Sequence, residues 1–338
     1  MSSHPVFKYK YHNADITQKN ILVTGGAGFI GSNFVEYLLL NGAKKVRVLD
    51  NLSNGFHRNI ENFLSNPAFE FIEGDITDKE TCARACEGIN LVSHQAALGS
   101  VPRSIQNPIA THEVNVTAFL NMLVAARDAG VNRFVYASSS SVYGDSTASP
   151  KKESNHGNPL SPYAVSKLSN ELYAFVFAIH YKMPLIGLRY FNVFGPRQDP
   201  NGPYAAVIPL FMNAQLFDTE AVIYGDGEQT RDFTFVENAV QANVRALFAE
   251  DEQALNKVYN VAVSESISVN QLYSLIAGIT GSTKLPRYMP ERKGDVKNSL
   301  ADLSMAKKLL HYDPQYSLQQ GLPATVEWFK KTFSKKHA

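Results

Sequence analysis

Tyr163 and Lys167 stand four residues apart in Tyr-Ala-Val-Ser-Lys, just after Ser161-Pro162, a pair that reads as a helix start. On a helix this spacing puts the phenol and the ammonium on one face. A phenol keeps its proton at neutral pH. A neighbouring positive charge favours phenolate and brings that proton into catalytic range. Such a tyrosine can take the proton of a sugar or alcohol hydroxyl while hydride leaves the same carbon. Alone, a Tyr and a Lys so spaced are more often two amphipathic residues on a helix, so the surroundings decide.

Hydride needs an acceptor. Thr24-Gly-Gly-Ala-Gly-Phe-Ile-Gly31 follows a short apolar strand, Asn20 to Thr24, and opens a helix. Gly25, Gly28 and Gly31 recur every third residue. The first permits a tight strand-to-helix reversal. The second lets backbone approach a pyrophosphate at the helix N-terminus, where free N–H groups favour anions, and the third lets helix pack on sheet. The spacing departs from G-x-G-x-x-G by one residue. Asp50 ends the next strand, where an acid can hold adenosine ribose hydroxyls and disfavours a 2′-phosphate. That points to NAD rather than NADP, against the plainer reading of Asp50 as a turn residue. Gly74-Asp75-Ile76 and His94-Gln95-Ala96-Ala97 close two further strands, at the edge where such sheets bind ligands.

Positioning these groups requires a sheet. Apolar runs at 20–24, 45–50, 69–73, 90–94, 133–138 and 184–189 alternate with helical patterns at 29–40, 78–86, 113–129 and 163–180. The alternation predicts an α/β fold, a Rossmann-type doubly wound parallel sheet, with strands buried on both faces. After Phe191 the texture changes. Gly195-Pro196, Pro200 to Pro203, Gly225 to Gly227 and Pro286 to Pro290 break it into short pieces. We expect an NAD-binding domain over 1–190 and a smaller α/β substrate-binding domain over 191–338. Val258 to Val263 reads as one more sheet strand, so segments around 233–263 return to the first domain.

Composition narrows the partners. The 338 residues are 44% hydrophobic and carry a net charge of +1, enough for a substantial core and no signature of nucleic-acid binding. No run of 18 apolar residues spans a membrane. Residues 1–19 read as an extension lying on the domain surface, not as a targeting peptide. Cys82 and Cys86, the two cysteines, suit a reducing compartment, hence the cytoplasm. The nine histidines are scattered, so no metal site is expected.

With TGGAGFIG, HQAA, the Ser138-Ser-Ser-Ser141 cluster before Val142-Tyr143-Gly144, YAVSK, Arg189-Tyr-Phe-Asn-Val-Phe-Gly-Pro196 and Gly294-Asp295 in hand, the chain resembles an extended short-chain dehydrogenase/reductase from about Asn20 to Trp328. Within that family it is most similar to bacterial nucleotide-sugar 4-epimerases, those acting on UDP-N-acetylglucosamine above all. Ala97 to Ile105 and Asn201 to Pro209 carry that likeness. The resemblance implies Ser139, Tyr163 and Lys167 as the catalytic set, with NAD tightly bound and not consumed. It extends the cofactor contacts through Phe29, Ile30, Asn51, Ser53, Asn54, Gly55, Asp75, Ile76, Asn115 and Tyr190. For the UDP-sugar it implies Gly99, Ser100, Val101, Ser140, Ser141, Asn192 and the Ala206-Val207 backbone. Tyr224 lies near the uracil, Arg231 and Arg292 serve as diphosphate cations, and Asp295 binds the uridine ribose. Arginine suits that work because its planar fork gives a phosphate two hydrogen bonds.

The same resemblance orders the reactions. A 4,6-dehydratase carries Asp-Glu beside its active-site Thr, where this chain has Ser140 and Ser141, so elimination lacks its acid and base. What remains is oxidation at C4, rotation of the 4-keto sugar, and reduction on its other face. Ser299 falls where galactose-only epimerases carry a bulky tyrosine and leaves room for a 2-acetamido group. The expected pair is therefore UDP-GlcNAc and UDP-GalNAc, with UDP-Glc and UDP-Gal poorer, supplying O-antigen or capsule synthesis. The competing readings are a UDP-hexuronate 4-epimerase and a non-catalytic NAD-binding sensor. Family members pair helices like 113–129 and 162–180 in a homodimer.

Overall fold

Short apolar strands feed amphipathic helices, and the helices carry the chain back to start the next strand alongside. The structure, a computed structural model, describes residues 7–200, 206–217, 219–291 and 297–334. In chain order the first half runs β1 (Asn20–Thr24), α1 (Phe29–Leu40), β2 (Lys45–Asp50), β3 (Phe69–Glu73), α2 (Lys79–Cys86) and β4 (Leu91–His94). It continues through α3 (Val101–Gln106), α4 (Pro108–His112), a π-helical turn (Glu113–Thr117), α5 (Ala118–Asp128), β5 (Arg133–Ser139), α6 (Pro162–Tyr181) and β6 (Leu185–Tyr190). The second half holds β7 (Val193–Phe194), α7 (Val207–Phe217), β8 (Val222–Tyr224), β9 (Thr230–Asp232), β10 (Thr234–Phe235), α8 (Val236–Leu247) and β11 (Lys257–Val261). Then come β12 (Ser266–Ser268), α9 (Val269–Thr280), β13 (Arg287–Met289), α10 (Ser304–Leu310) and α11 (Leu318–Phe333).

Among the described residues, seven strands form one sheet in the order β11-β6-β5-β4-β1-β2-β3, all paired in parallel. The order reverses between β1 and β4, so the loops that follow them diverge and open a crevice. Apolar side chains cover both faces. Phe34, Val35, Val240 and Val244 lie on one side, and Cys82, Phe119, Met122 and Phe177 on the other. A third apolar cluster, with Phe211, Leu272, Leu322 and Phe329, holds the smaller C-terminal unit of two-stranded sheets and helices. The chain does return to the large sheet: β11 pairs with β6 from Lys257 to Val261, and α8 is buried along its whole length.

Three expectations are corrected. The segment from Phe7 is not merely laid on the surface: Tyr11, His12 and Ile16 are buried. Tyr11 stacks on Tyr37 at 5.5 Å, and its N–H donates to the Tyr37 hydroxyl at 2.7 Å. Average polarity hid a few aromatic anchors. The strand β3 is a sheet edge and stays partly exposed, and Glu70 and Glu73 interrupt its apolar run on both faces. The helix expected from Glu113 begins earlier, at Pro108, and passes through the π turn before α5.

Candidate active site

Two cavities open along the C-terminal edge of the sheet. The first, about 450 Å³, is floored by the glycine loop between β1 and α1. Gly25 has φ +67°, and a Cβ there would sit 2.7 Å from the Ala96 amide nitrogen. The loop can therefore lie against the end of β4 only with glycine. Gly28, Phe29, Ile30 and Gly31 continue the floor, and Asp50, Asn51, Ser53, Asn54 and Gly55 form the wall beyond β2. Asp50 accepts from the Ala27 and Leu52 amides at 2.9 and 2.8 Å. Burial pushes its carboxyl above the usual range, and those two bonds oppose the shift. Each oxygen keeps a lone pair for a ribose hydroxyl. Glycines where a side chain would fill the cradle, a helix N-terminus and an acid at the tip of β2 fit a dinucleotide.

Ile76, Gln95, Ala96, Ala97 and Tyr190 close the far side. The Tyr190 hydroxyl donates to Gln95 at 3.1 Å and accepts from Asn243 at 2.7 Å, and Gln95 also donates to Asn243 at 2.9 Å. A side chain of α8 thus fixes the ends of β4 and β6 that face the first cavity.

The second cavity, about 650 Å³, meets the first at Ser139, Tyr163 and Asn192. Ser161 caps α6 by accepting from the Ala164 amide at 3.1 Å, and Pro162 occupies its first turn, the arrangement that starts a helix firmly. Tyr163 therefore projects from a fixed first turn, and Lys167 follows one turn later with its Nζ 5.9 Å from the tyrosine ring centre. Ser139 ends β5, and its Oγ accepts from the Ser141 amide and hydroxyl at 3.2 and 3.0 Å. Behind them Glu171 accepts from Ser138 at 2.5 Å and from two Arg189 nitrogens at 2.9 and 2.7 Å. This buried pair ties β5, α6 and β6 together beneath the reacting groups.

Burial pushes the Tyr163 phenol above the usual tyrosine value, and the Ser139 hydrogen bond pulls it back. The Lys167 ammonium donates to the Ala137 carbonyl at 2.8 Å. Burial lowers its own pKa to about 8, with the Glu171 carboxylate pushing the other way.

The profile described as the NAD dependent epimerase/dehydratase family matches residues 21–262. The chain belongs to that family. It is 38% identical over 311 residues to a protein named UDP-glucose 4-epimerase from Mycolicibacterium smegmatis, covering 91% of this chain and 98% of that one. Among solved structures it is similar to UDP-N-acetylglucosamine 4-epimerase from Methanobrevibacter ruminantium in complex with UDP-N-acetylmuramic acid, at 40% identity and TM-score 0.87. That match covers 93% of this chain and 98% of the other. UDP-glucose 4-epimerase of Thermotoga maritima with UDP-glucose matches at the same identity and TM-score, over 93% and 99%. As a member of this NAD-dependent family, the chain has in the first cavity a place for the family's cofactor.

Most expected residues of the epimerase/dehydratase site gather at the two cavities, and a few do not. Asp75 lies behind the first, accepting from Asn51 at 2.7 Å and from Thr77. Asn115 is buried behind the loop after β4, bonded to both backbone groups of Leu98 and to Ser166. It braces the wall that Leu98 and Val114 line. Gly99 lines the first cavity rather than the second, while Ser100, Val101, Ser140, Ser141, Arg231 and Ser299 line the second. Ala206, Val207 and Tyr224 line neither. Arg292 and Asp295 lie outside the described residues. Lys151, in the second cavity, was missed: in Pro150-Lys-Lys-Glu153 nothing separates a buried lysine from its exposed neighbour Lys152. Among the described residues no group of three His, Cys, Asp or Glu side chains is arranged to hold a metal.

Proposed function

We propose that this protein is a UDP-sugar 4-epimerase whose preferred pair is UDP-GlcNAc and UDP-GalNAc. The observation that carries the reading is the junction of the cavities. Ser139 and Tyr163 stand between a dinucleotide-shaped cavity and a second one whose described lining holds serines and two cations, Lys151 and Arg231, but no carboxylate. NAD, when bound, supplies the acceptor and later donor of the C4 hydride, and one positive charge. Tyr163 takes the proton of the C4 hydroxyl. Ser139, hydrogen-bonded to the phenol, offers a second oxygen through which that proton returns when the opposite sugar face is presented. Lys167 is held by the Ala137 carbonyl on the cofactor side of the tyrosine. Ser140 and Ser141 can hydrogen-bond a sugar but cannot take a C5 proton or protonate a departing C6 hydroxyl, so the oxidised sugar is reduced again rather than dehydrated. Arg231 faces the same cavity and suits the diphosphate. Ser299 leaves volume at its wall for an acetamido group.

A UDP-hexuronate 4-epimerase is the second reading, favoured by the Lys151 ammonium in the sugar cavity. Incubating purified protein with UDP-GlcNAc and no added NAD tests the first reading. UDP-GalNAc should form. Net accumulation of a 4-keto sugar, or turnover of UDP-GalA with none of UDP-GalNAc, overturns it.

The helix α6 leaves Leu172, Phe175 and Val176 at 61%, 61% and 44% exposure, and Ile109 of α4 is 71% exposed. These exposed apolar residues support a homodimer through helices 113–129 and 162–180, with Ile109 just before the first of them. Light scattering should give twice the chain mass, and Phe175→Glu should halve it.

A further inference from the structure

Lys151 is the buried cation of the sugar cavity that the reaction leaves unused. Its residue is 4% exposed, although it sits in a loop of lysines and serines. The backbone is locked on both sides: its N–H donates to the Leu300 carbonyl at 2.7 Å, and its carbonyl accepts from the Asp302 amide at 2.9 Å. The side chain of Asn260 donates to the same carbonyl at 2.9 Å. Lys151 is therefore fastened to the segment that carries Ser299, and both residues line the second cavity. The ammonium donates to the Ser146 carbonyl. A lysine has three N–H donors, so that bond leaves donors for a ligand. No carboxylate accompanies it in the described lining.

From this placement we infer that Lys151 is a specificity-determining residue: its ammonium donates to the carbonyl oxygen of the 2-acetamido group that Ser299 admits. The inference rests on the acetamido-sugar reading above. A neutral carbonyl is the fitting partner. A charge-assisted hydrogen bond to it holds the group in one orientation. Burial lowers the pKa of the ammonium, and no carboxylate of the described lining stands beside it to oppose that shift. A plain hexose offers a hydroxyl at the same carbon, two bonds shorter than the acetamide oxygen, and does not reach.

The test compares Lys151→Met with wild type on UDP-GlcNAc and on UDP-Glc, using one preparation of each protein. The ratio of the two kcat/KM values is unaffected by any fraction that fails to fold. In wild type it should favour UDP-GlcNAc, and in Lys151→Met it should fall by about tenfold or more, the scale of a lost hydrogen bond to a charged donor. Lys151→Arg, which keeps donors and charge, should restore part of it. A ratio unchanged in Lys151→Met, with wild type still preferring UDP-GlcNAc, overturns the role of Lys151 and leaves the acetamido reading standing. Wild type that turns over UDP-Glc or UDP-GlcA but not UDP-GlcNAc overturns both.

Discussion

The first and second cavities meet at Ser139, Tyr163 and Asn192 but are built differently. The first is made of backbone. Its loops follow β1, β2 and β4 directly, its glycines allow close approach, and its side chains serve mainly to tie loops together. Asn115 holds Leu98, and Asn243 holds Gln95 and Tyr190. The second is made of side chains gathered from distant segments: Ser100 and Gln106, Ser139 to Ser141, Lys151, Asn192, Arg231 and Ser299. A cavity defined by backbone geometry binds one ligand shape, and single substitutions there destroy it or do little. A cavity defined by side chains can be retuned one residue at a time.

The sharpest way to break the comparison is at Tyr163, which lines both cavities. Tyr163→Phe removes the proton acceptor while keeping the ring. Turnover of UDP-GlcNAc should fall about 10²- to 10⁴-fold, as for loss of a positioned acid/base. Affinity for UDP, measured by calorimetry, should hold. If UDP affinity falls by the same factor, Tyr163 is a packing residue and the two cavities do not meet in one reaction.

Ser299→Tyr addresses the side-chain cavity alone. A phenol ring at that wall removes the volume for an acetamido group. The kcat/KM ratio of UDP-GlcNAc to UDP-Glc should drop by about a hundredfold, the scale that a steric change in a pocket reaches. Equal loss on both sugars would place Ser299 in general substrate binding and end its role in selection.

What could be read from the chain follows the same division. The first cavity was legible because its signals are local. Thr24 to Gly31 is one stretch, Asp50 ends the next strand, and strand periodicity gives their common edge. Local signals say less about side-chain direction: Asp75 accepts from Thr77 and Asn51, and Asn115 bonds to Leu98. In the second cavity, Ser140, Ser141, Arg231 and Ser299 were found by resemblance, not by any pattern of their own. Lys151 was not found, because its burial depends on pairing with Leu300 and Asp302, about 150 residues away in sequence. Helical spacing fixed the shared face of Tyr163 and Lys167 but not the Ala137 carbonyl to which the ammonium donates.

The smallest effects separate the two regions by sign. His94 ends β4 under the glycine loop, bonded to Thr24 at 2.9 Å and packed on Phe119 and Phe134. Burial lowers its pKa to about 3. Its folded value thus lies below the unfolded one, and stability is lost as pH falls through the unfolded pKa of about 6.5. Asp232, in β9 next to Arg231, accepts from the Val263, Ser264 and Ala301 amides. Burial raises its pKa to about 7 against those three bonds. Here the folded value lies above the unfolded one, so stability is gained as pH falls from 7 toward the unfolded pKa. Between pH 7 and pH 5 each group contributes about 2 kcal/mol, with opposite signs, and in the wild-type protein the two largely cancel. Urea unfolding at both pH values should show His94→Asn gaining about 2 kcal/mol relative to wild type on acidification, and Asp232→Asn losing about as much. Any constant cost of either substitution drops out of the difference between the two pH values. Parallel shifts in both variants would mean that the two halves do not carry buried groups of opposite character.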